Sequence, residues 1–167
     1  QNDFLEWNLI AAKFFIENRL KDHHFILQNA FKARYHYYSA KDYNSFSMLT
    51  LAIGEKLQEY GYYKKASEIL LKSIPNLTDG LEGKAFHDLG RAFAVLGEKA
   101  KAINYLEKAQ SVFDRLNDYK GLAVVYHLLG GLYAQLGNFD EGIDYLSQAI
   151  MFDKKVDNLE GAISSYL

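Results

Sequence analysis

Two adjacent histidines, His23 and His24, are of a residue type that could ligate a metal ion. Neighbouring residues of a helix point in different directions, so this pair cannot hold one ion from one helix face. Neither a further histidine one helical turn away nor a carboxylate at ligand spacing accompanies them. The sequence therefore favours a polar helix start here over a metal site, and we expect no metal and no cofactor.

Motifs for covalent or nucleotide chemistry are missing as well. Serine, histidine and aspartate all occur, but no G-x-S-x-G stretch presents a nucleophile. The glycines of "LGGLYAQLG" (129–137) follow no strand pattern, and no G-K-[ST] is found. The chain has no cysteine, which excludes disulfides, thiolate metal sites and cysteine nucleophiles. We expect no catalytic residue and predict that the chain is not an enzyme.

Composition indicates a globular protein of ordinary size. The 167 residues are 49% hydrophobic and 24% charged, and 19 basic against 21 acidic residues give a net charge of −2. This balance disfavours nucleic-acid binding, and no basic cluster or long apolar run indicates a membrane. The chain begins at Gln1 and ends in what reads as an unfinished helix, so we expect a fragment or a processed product. The compartment stays open, with the cytoplasm favoured over a bacterial periplasm.

The elements that would position any site repeat along the chain. Two series of glycines recur along the chain at nearly constant intervals, with one glycine of each series in every repeat. The first series is Gly54, Gly90 and Gly130, and the second is Gly61, Gly97 and Gly137. Gly97 lies where a glycine can end a helix in the left-handed conformation. Gly90 falls inside a helix, where it costs ~1 kcal/mol relative to alanine. A recurring glycine of this kind, like the recurring Ala109 and Ala149 of the second helix, indicates close approach of a neighbouring helix.

This pattern resembles the tetratricopeptide repeat family. The shared features are the Leu-Gly pair, an aromatic residue three positions later, the turn glycine, and small, large and small residues on the second helix; in one copy these last are Ala102, Leu106 and Ala109. The copies depart from the family at Leu57, Ser73 and Gly142, and their longer period is similar to that of bacterial peptide-sensing regulators and scaffold proteins. The resemblance implies an all-α fold, a right-handed superhelical stack of antiparallel helical hairpins, or α-solenoid.

We predict one domain over 1–167, made of successive hairpins. They comprise a degenerate capping hairpin, three repeats and the start of a further repeat: 1–42, 43–80, 81–118, 119–158 and 159–167. Helices are predicted at 4–19, 23–39, 44–60, 63–74, 82–96, 99–116, 120–136, 139–156 and from 160 onward.

The resemblance also implies a candidate binding site, because first helices line the concave face in this family. The predicted groove residues are Glu55, Gln58, Glu59, Lys84, His87, Arg91, His127 and Gln135. Their charges run from an acidic end to a basic centre with two histidines. Such a face could hold an extended peptide or a helix, with Lys84 and Arg91 on a carboxylate. The alternative is an ordinary solvated helix face. If the histidines contact a ligand, its binding should change between about pH 5.5 and 7.5.

The function that these features favour is non-catalytic binding of a protein or peptide. The chain would be the interaction or sensory portion of a larger bacterial signalling or regulatory protein, with no nucleic-acid or membrane partner. The alternative is a structural spacer or self-association module whose groove has no specific ligand.

Overall fold

The computed structural model describes Asn8, Leu9 and residues 23–78 and 80–156, with side chains from residue 27 onward in the second range. These residues form seven α-helices, which are α1 (His23–Ser39), α2 (Tyr43–Glu59), α3 (Tyr63–Ser73), α4 (Leu81–Val95), α5 (Lys99–Arg115), α6 (Tyr119–Gln135) and α7 (Phe139–Lys155). A 3₁₀ turn, Ile74–Asn76, follows α3 and contains the single proline. No strand occurs in the described ranges, and the predicted all-α class is confirmed.

The seven helix predictions that fall on described residues agree with the structure to within one residue at each end. The predicted helix 4–19, apart from Asn8 and Leu9, lies outside the described residues. So does the predicted further repeat at 159–167. His23 and His24 belong to α1, but their side chains are also outside the described part of the chain.

The chain divides into two compact units, residues 1–81 and 82–167. In the first unit, α2 and α3 bury a cluster that includes Ile53, Leu57 and Ile69, and α1 adds Leu27 and Phe31 to it. These apolar residues recur at three- and four-residue spacing, so each helix turns one apolar face to the core.

A polar contact of Arg34 joins α1, α2 and α3. From α1, its guanidinium donates to Thr50 Oγ1 on α2 at 2.7 Å and to Ser73 Oγ on α3 at 2.5 Å. It also lies over the Phe46 ring, 4.6 Å from the centroid. Burial lowers the pKa of Arg34, although an arginine remains charged in proteins. Both hydroxyl residues are fully buried, so they depend on this guanidinium for hydrogen bonds across the helices.

Residues in the left-handed backbone conformation end the helices at the positions that the glycine pattern predicts. Gly97 and Gly137 have φ of +78° and +85°. After α4, the Glu98 amide donates to the Phe93 carbonyl, which closes the helix in a Schellman-type turn. After α5 the same place is taken by Asn117, with φ of +54°. Asparagine tolerates this conformation better than most residues, so the hairpin turns keep one geometry.

In the second unit, Gly90 and Gly130 are points of close helix approach, as the sequence predicts. A Cβ built at Gly90 in α4 would lie 2.6 Å from Leu106 Cγ in α5. At Gly130 in α6 it would lie 2.7 Å from Leu146 Cγ and 3.0 Å from the Gly142 carbonyl oxygen, both in α7. Real Cβ atoms do not fit at such distances, so glycine allows the two helices of each hairpin to interlock.

The adjacent glycines of α6 provide a matched test of this packing. We expect Gly130→Ala to destabilise the protein by about 1–2 kcal/mol, because the added methyl group meets the α7 backbone and overpacking outweighs the gain in helix propensity. Gly131→Ala should instead stabilise it by up to ~1 kcal/mol, since nothing lies within 4 Å of a Cβ there. Urea unfolding measures both values. Equal effects of the two substitutions would contradict the packing.

The Arg34 contact is tested by Arg34→Met. We expect a loss of about 1–3 kcal/mol in the free energy of unfolding, because two buried hydroxyls lose a charged donor. The control is Arg115→Met, which removes an exposed arginine paired with Glu82 and should cost no more than ~1 kcal/mol. Chemical denaturation compares the two variants, and an Arg34→Met cost no larger than that of the control would refute the linking role.

Candidate functional site

Helices α4 and α6, the first helices of the two described hairpins in the second unit, both pack against α5. Gly83 near the start of α4 and Gly121 near the start of α6 both face the Phe113 ring of α5, at 2.9 Å and 2.7 Å from a Cβ built at each glycine. Asp118 caps α6 by accepting a hydrogen bond from the Gly121 amide at 2.9 Å. These contacts place α4 and α6 against the same helix.

Helices α4 and α6 carry five of the eight predicted groove residues. We define the α4/α6 face by residues at helical spacing: Lys84, His87 and Arg91 of α4, and Val124, His127, Gly131 and Gln135 of α6. Lys84, Val124, His127 and Gln135 are exposed, and the other three are half-buried. The face is therefore accessible from outside the second unit.

The acidic residues of α4 are both engaged within the second unit. Glu82 accepts a hydrogen bond from Arg115 at 2.8 Å. Asp88, only 3% exposed, lies with Oδ1 3.0 Å from His87 Nδ1. Helix α6 contains no acidic residue. The charged groups that the face presents are consequently cationic or can become so by protonation of histidine.

His127 lies near a second buried acid, Asp153 of α7, which is 6% exposed. Burial raises the pKa of Asp153, and the charge of His127 partly offsets this effect. The ionised carboxylate therefore costs stability at neutral pH, and the cost falls as the pH drops through this raised pKa. Each histidine of the α4/α6 face thus has a buried carboxylate close to it.

Gly131 is the least explained residue of the α4/α6 face. Each of the other helix-interior glycines of the described ranges faces an atom of a neighbouring helix within 3.1 Å of a built Cβ: Gly54, Gly83, Gly90, Gly121, Gly130 and Gly142. Gly131 faces nothing within 4 Å. Packing within the described chain does not explain why this position is a glycine. A glycine inside a helix costs ~1 kcal/mol in helix stability relative to alanine.

The three remaining predicted groove residues belong to α2 in the first unit. Glu55 and Glu59 are exposed, and Glu59 accepts a hydrogen bond from Lys56 at 2.5 Å. Gln58 is only 3% exposed. It lies four residues after the buried Gly54, so it shares the packed side of α2 rather than the outer side.

Aromatic stacking between α6 and α7 is a feature that sequence reasoning missed. The Phe152 ring stacks on Tyr119 and on Tyr126, with centroids 5.8 Å and 5.4 Å apart, and Tyr133 stacks on Tyr145 at 5.2 Å. The signal was available in the recurrence of aromatic residues from one repeat to the next. These rings fix the α6–α7 hairpin and thereby the outward side of α6.

Neither a metal site nor a membrane-spanning helix occurs among the described residues. Within them, no group of three or more histidine, cysteine, aspartate or glutamate side chains is placed to hold a metal ion. The helices described here include none with the length and hydropathy of a membrane span.

The sequence is similar to a known repeat family and to a bacterial regulatory protein. Residues 81–155 match the family model of the tetratricopeptide repeat. Over 100 residues, 59% of this chain, the sequence is 28% identical to regulatory protein RapG of Bacillus subtilis (strain 168). The chain spans only 26% of the length of that relative.

Solved structures show the same fold at low sequence identity. Aspartyl phosphate phosphatase F from Bacillus subtilis aligns over 98% of this chain and 44% of its own, with a TM-score of 0.78 and 18% identity. A putative kinesin light chain of Podosopora anserina with tetratricopeptide-like repeats aligns over 96% of this chain and 81% of its own, at 0.59 and 16%. The chain therefore has the fold of tetratricopeptide-like helical solenoids, and its match to the tetratricopeptide repeat model covers residues 81–155.

Proposed function

We propose that the α4/α6 face binds a protein or peptide, and that the chain is the interaction portion of a larger bacterial regulatory protein. A tetratricopeptide-type fold is typically a non-catalytic scaffold for protein interactions. Stacked helical repeats present extended surfaces on which such ligands lie. The proposed function is recognition, with no chemical step assigned to the chain.

The charge of the α4/α6 face is the observation that carries this proposal. Lys84 and Arg91 lie on one side of α4, and Glu82 and Asp88 of the same helix lie beside Arg115 and His87. A guanidinium offers two parallel donors to a carboxylate. We therefore assign an acidic side chain or the carboxyl terminus of a peptide to this part of the face.

Gly131 supports a peptide ligand in particular. A glycine with open space above it lets another main chain approach the helix closely. Val124, 44% exposed, lies seven residues earlier on the same side of α6 and offers apolar contact beside it. A ligand that places its backbone over Gly131 and its carboxylate near α4 would use both features.

The relatives support a regulatory setting. RapG is named a regulatory protein, and the chain matches about a quarter of its length. We propose the same class of role for this chain, with the ligand-binding portion represented here.

Charge reversal tests the proposed face. Short synthetic peptides with free carboxyl termini are screened for binding, and the affinity of the strongest binder is measured by fluorescence anisotropy. Lys84→Glu combined with Arg91→Glu should lower that affinity at least ~10-fold, because charge-assisted hydrogen bonds become repulsions.

The matched control is Lys101→Glu combined with Lys108→Glu, the same charge change at exposed positions of α5. It should alter affinity by less than about threefold, since distant charges are screened by salt. Thermal unfolding verifies that both double variants fold. Equal loss of affinity in the two variants would mean that the peptide follows overall charge, and the assigned face would be wrong.

A further inference from the structure

Among the described residues of the first unit, one half-buried guanidinium has no counter-ion. Arg34 of α1 donates through Nε to Thr50 and through Nη2 to Ser73. No carboxylate of the described residues lies within ion-pair distance of it. A charge that is removed from water is normally paired. The neutral hydroxyls therefore offset the desolvation of this cation only in part.

The second unit shows that the joint between such helices does not require a charge. Arg34 and Thr50 lie 76 residues before Gln110 of α5 and Tyr126 of α6. The Gln110 Nε2 donates to the Tyr126 hydroxyl at 3.0 Å, across the same 16-residue separation as the Arg34–Thr50 hydrogen bond. A neutral amide thus joins the equivalent pair of helices. The positive charge of Arg34 exceeds what the packing of the repeats needs.

Two further departures from the repeat pattern accommodate the guanidinium. Thr50 stands where the later repeats have the aromatic residues Phe86 and Tyr126, and Ser73 stands where they have alanine. The smaller side chain of Thr50 leaves room beside α2, and both hydroxyls hold the guanidinium in one orientation. Three positions therefore depart from the repeat together, and all three serve one cation.

Part of the guanidinium remains available to a ligand. A guanidinium carries five N–H donors, and the hydrogen bonds to Thr50 and Ser73 involve only Nε and Nη2. Nη1 of Arg34 donates to no described residue, and it is not buried. An oxygen acceptor from outside the chain can therefore reach it. A carboxylate suits this edge, since a guanidinium and a carboxylate match in shape and charge.

Exposed tyrosine rings adjoin the same place. The Phe46 ring, which lies 4.6 Å below the Arg34 guanidinium, also contacts the Tyr38 ring with centroids 5.3 Å apart. Tyr38 in turn contacts Tyr43 at 6.0 Å. Tyr38 follows Arg34 by one helical turn, so it shares that side of α1. Tyr38 is 44% and Tyr43 is 40% exposed, which leaves ring surface for an aromatic ligand.

We propose that Arg34 binds the carboxylate of an aromatic acid whose ring packs on Tyr38 and Tyr43. The side chains that contact Arg34 are two hydroxyls and a phenyl ring, so one positive charge meets the single charge of a carboxylate. Such a group is supplied by a free aryl acid or by a peptide that ends in an aromatic residue. The site involves no residue of the α4/α6 face, so either proposal can fail without the other.

Titration of the full chain with benzoate tests the site. The Nε–H signal of Arg34 and the ring signals of Tyr38 and Tyr43 are followed by nuclear magnetic resonance. All three should shift with one Kd of ~1–5 mM, the range expected of so small a ligand at low ionic strength. Benzamide, which has the same ring without the charge, should bind at least ~10-fold more weakly. Benzenephosphonate, a dianion, should bind no more tightly than benzoate.

Arg34→Gln removes the charge but keeps a side chain that joins the equivalent helices in the second unit. It should lower the affinity for benzoate at least ~10-fold, as measured from the tyrosine signals. The matched control is Lys72→Gln, the same charge change at an exposed position of α3, which should alter affinity by less than about twofold. Tyr43→Ala truncates an exposed ring without touching the buried hydroxyls, and it should lower affinity about threefold.

A peptide arm distinguishes the two sources of the carboxylate. Binding of N-acetylalanylphenylalanine that is tighter than that of benzoate, and lost in its carboxamide, would assign a peptide terminus. Weaker binding than benzoate would assign a free aryl acid.

Four results would overturn the proposal. They are an Arg34 signal that does not shift above the expected Kd, equal binding of benzamide, tighter binding of benzenephosphonate, and a loss in Arg34→Gln no larger than that in Lys72→Gln. Circular dichroism verifies that each variant folds. If Arg34→Gln does not fold, the benzamide comparison and Tyr43→Ala decide the outcome, and an unchanged affinity in Tyr43→Ala would then refute the site.

Discussion

Close approach of a second helix to a glycine in the first helix is the contact on which the hairpins of the second unit depend. Leu106 fills the space beside Gly90, and Leu146 fills the space beside Gly130. A side chain at either glycine would push the helices apart, and the dense packing of a protein interior does not allow that. The contact costs helix propensity and is offset by burial of the leucine.

This contact also decides which residues face outward. When Gly90 and Gly130 point toward α5 and α7, the next residue of each helix lies about 100° around the helix axis from that contact. Arg91 and Gly131 are these next residues, and both are half-buried at the edge of the packed side. The position of the cations and of the open glycine follows from the packing of the hairpins, before any ligand is considered.

Much of the fold follows from local sequence signals, and much less of the site does. The recurring glycines and alanines predict where helices end and where two helices pack closely, because few other structural requirements would make such small residues recur at these positions. Gln58 shows the limit for surface residues, since a polar side chain can occupy the packed side of a helix. The pairing of Asp88 with His87 and the reach of Arg34 to Ser73 depend on side-chain positions in space, which the periodic pattern does not encode.

Proton–proton nuclear Overhauser effects between leucine methyl groups and glycine Hα protons test the central contact most directly. The structure predicts strong effects from Leu106 to Gly90 and from Leu146 to Gly130, and none from either leucine to Gly131. Strong effects at Gly131, or none at Gly90 and Gly130, would show that the helices pack through another face. The assignment of the α4/α6 face as an accessible surface would then be wrong as well.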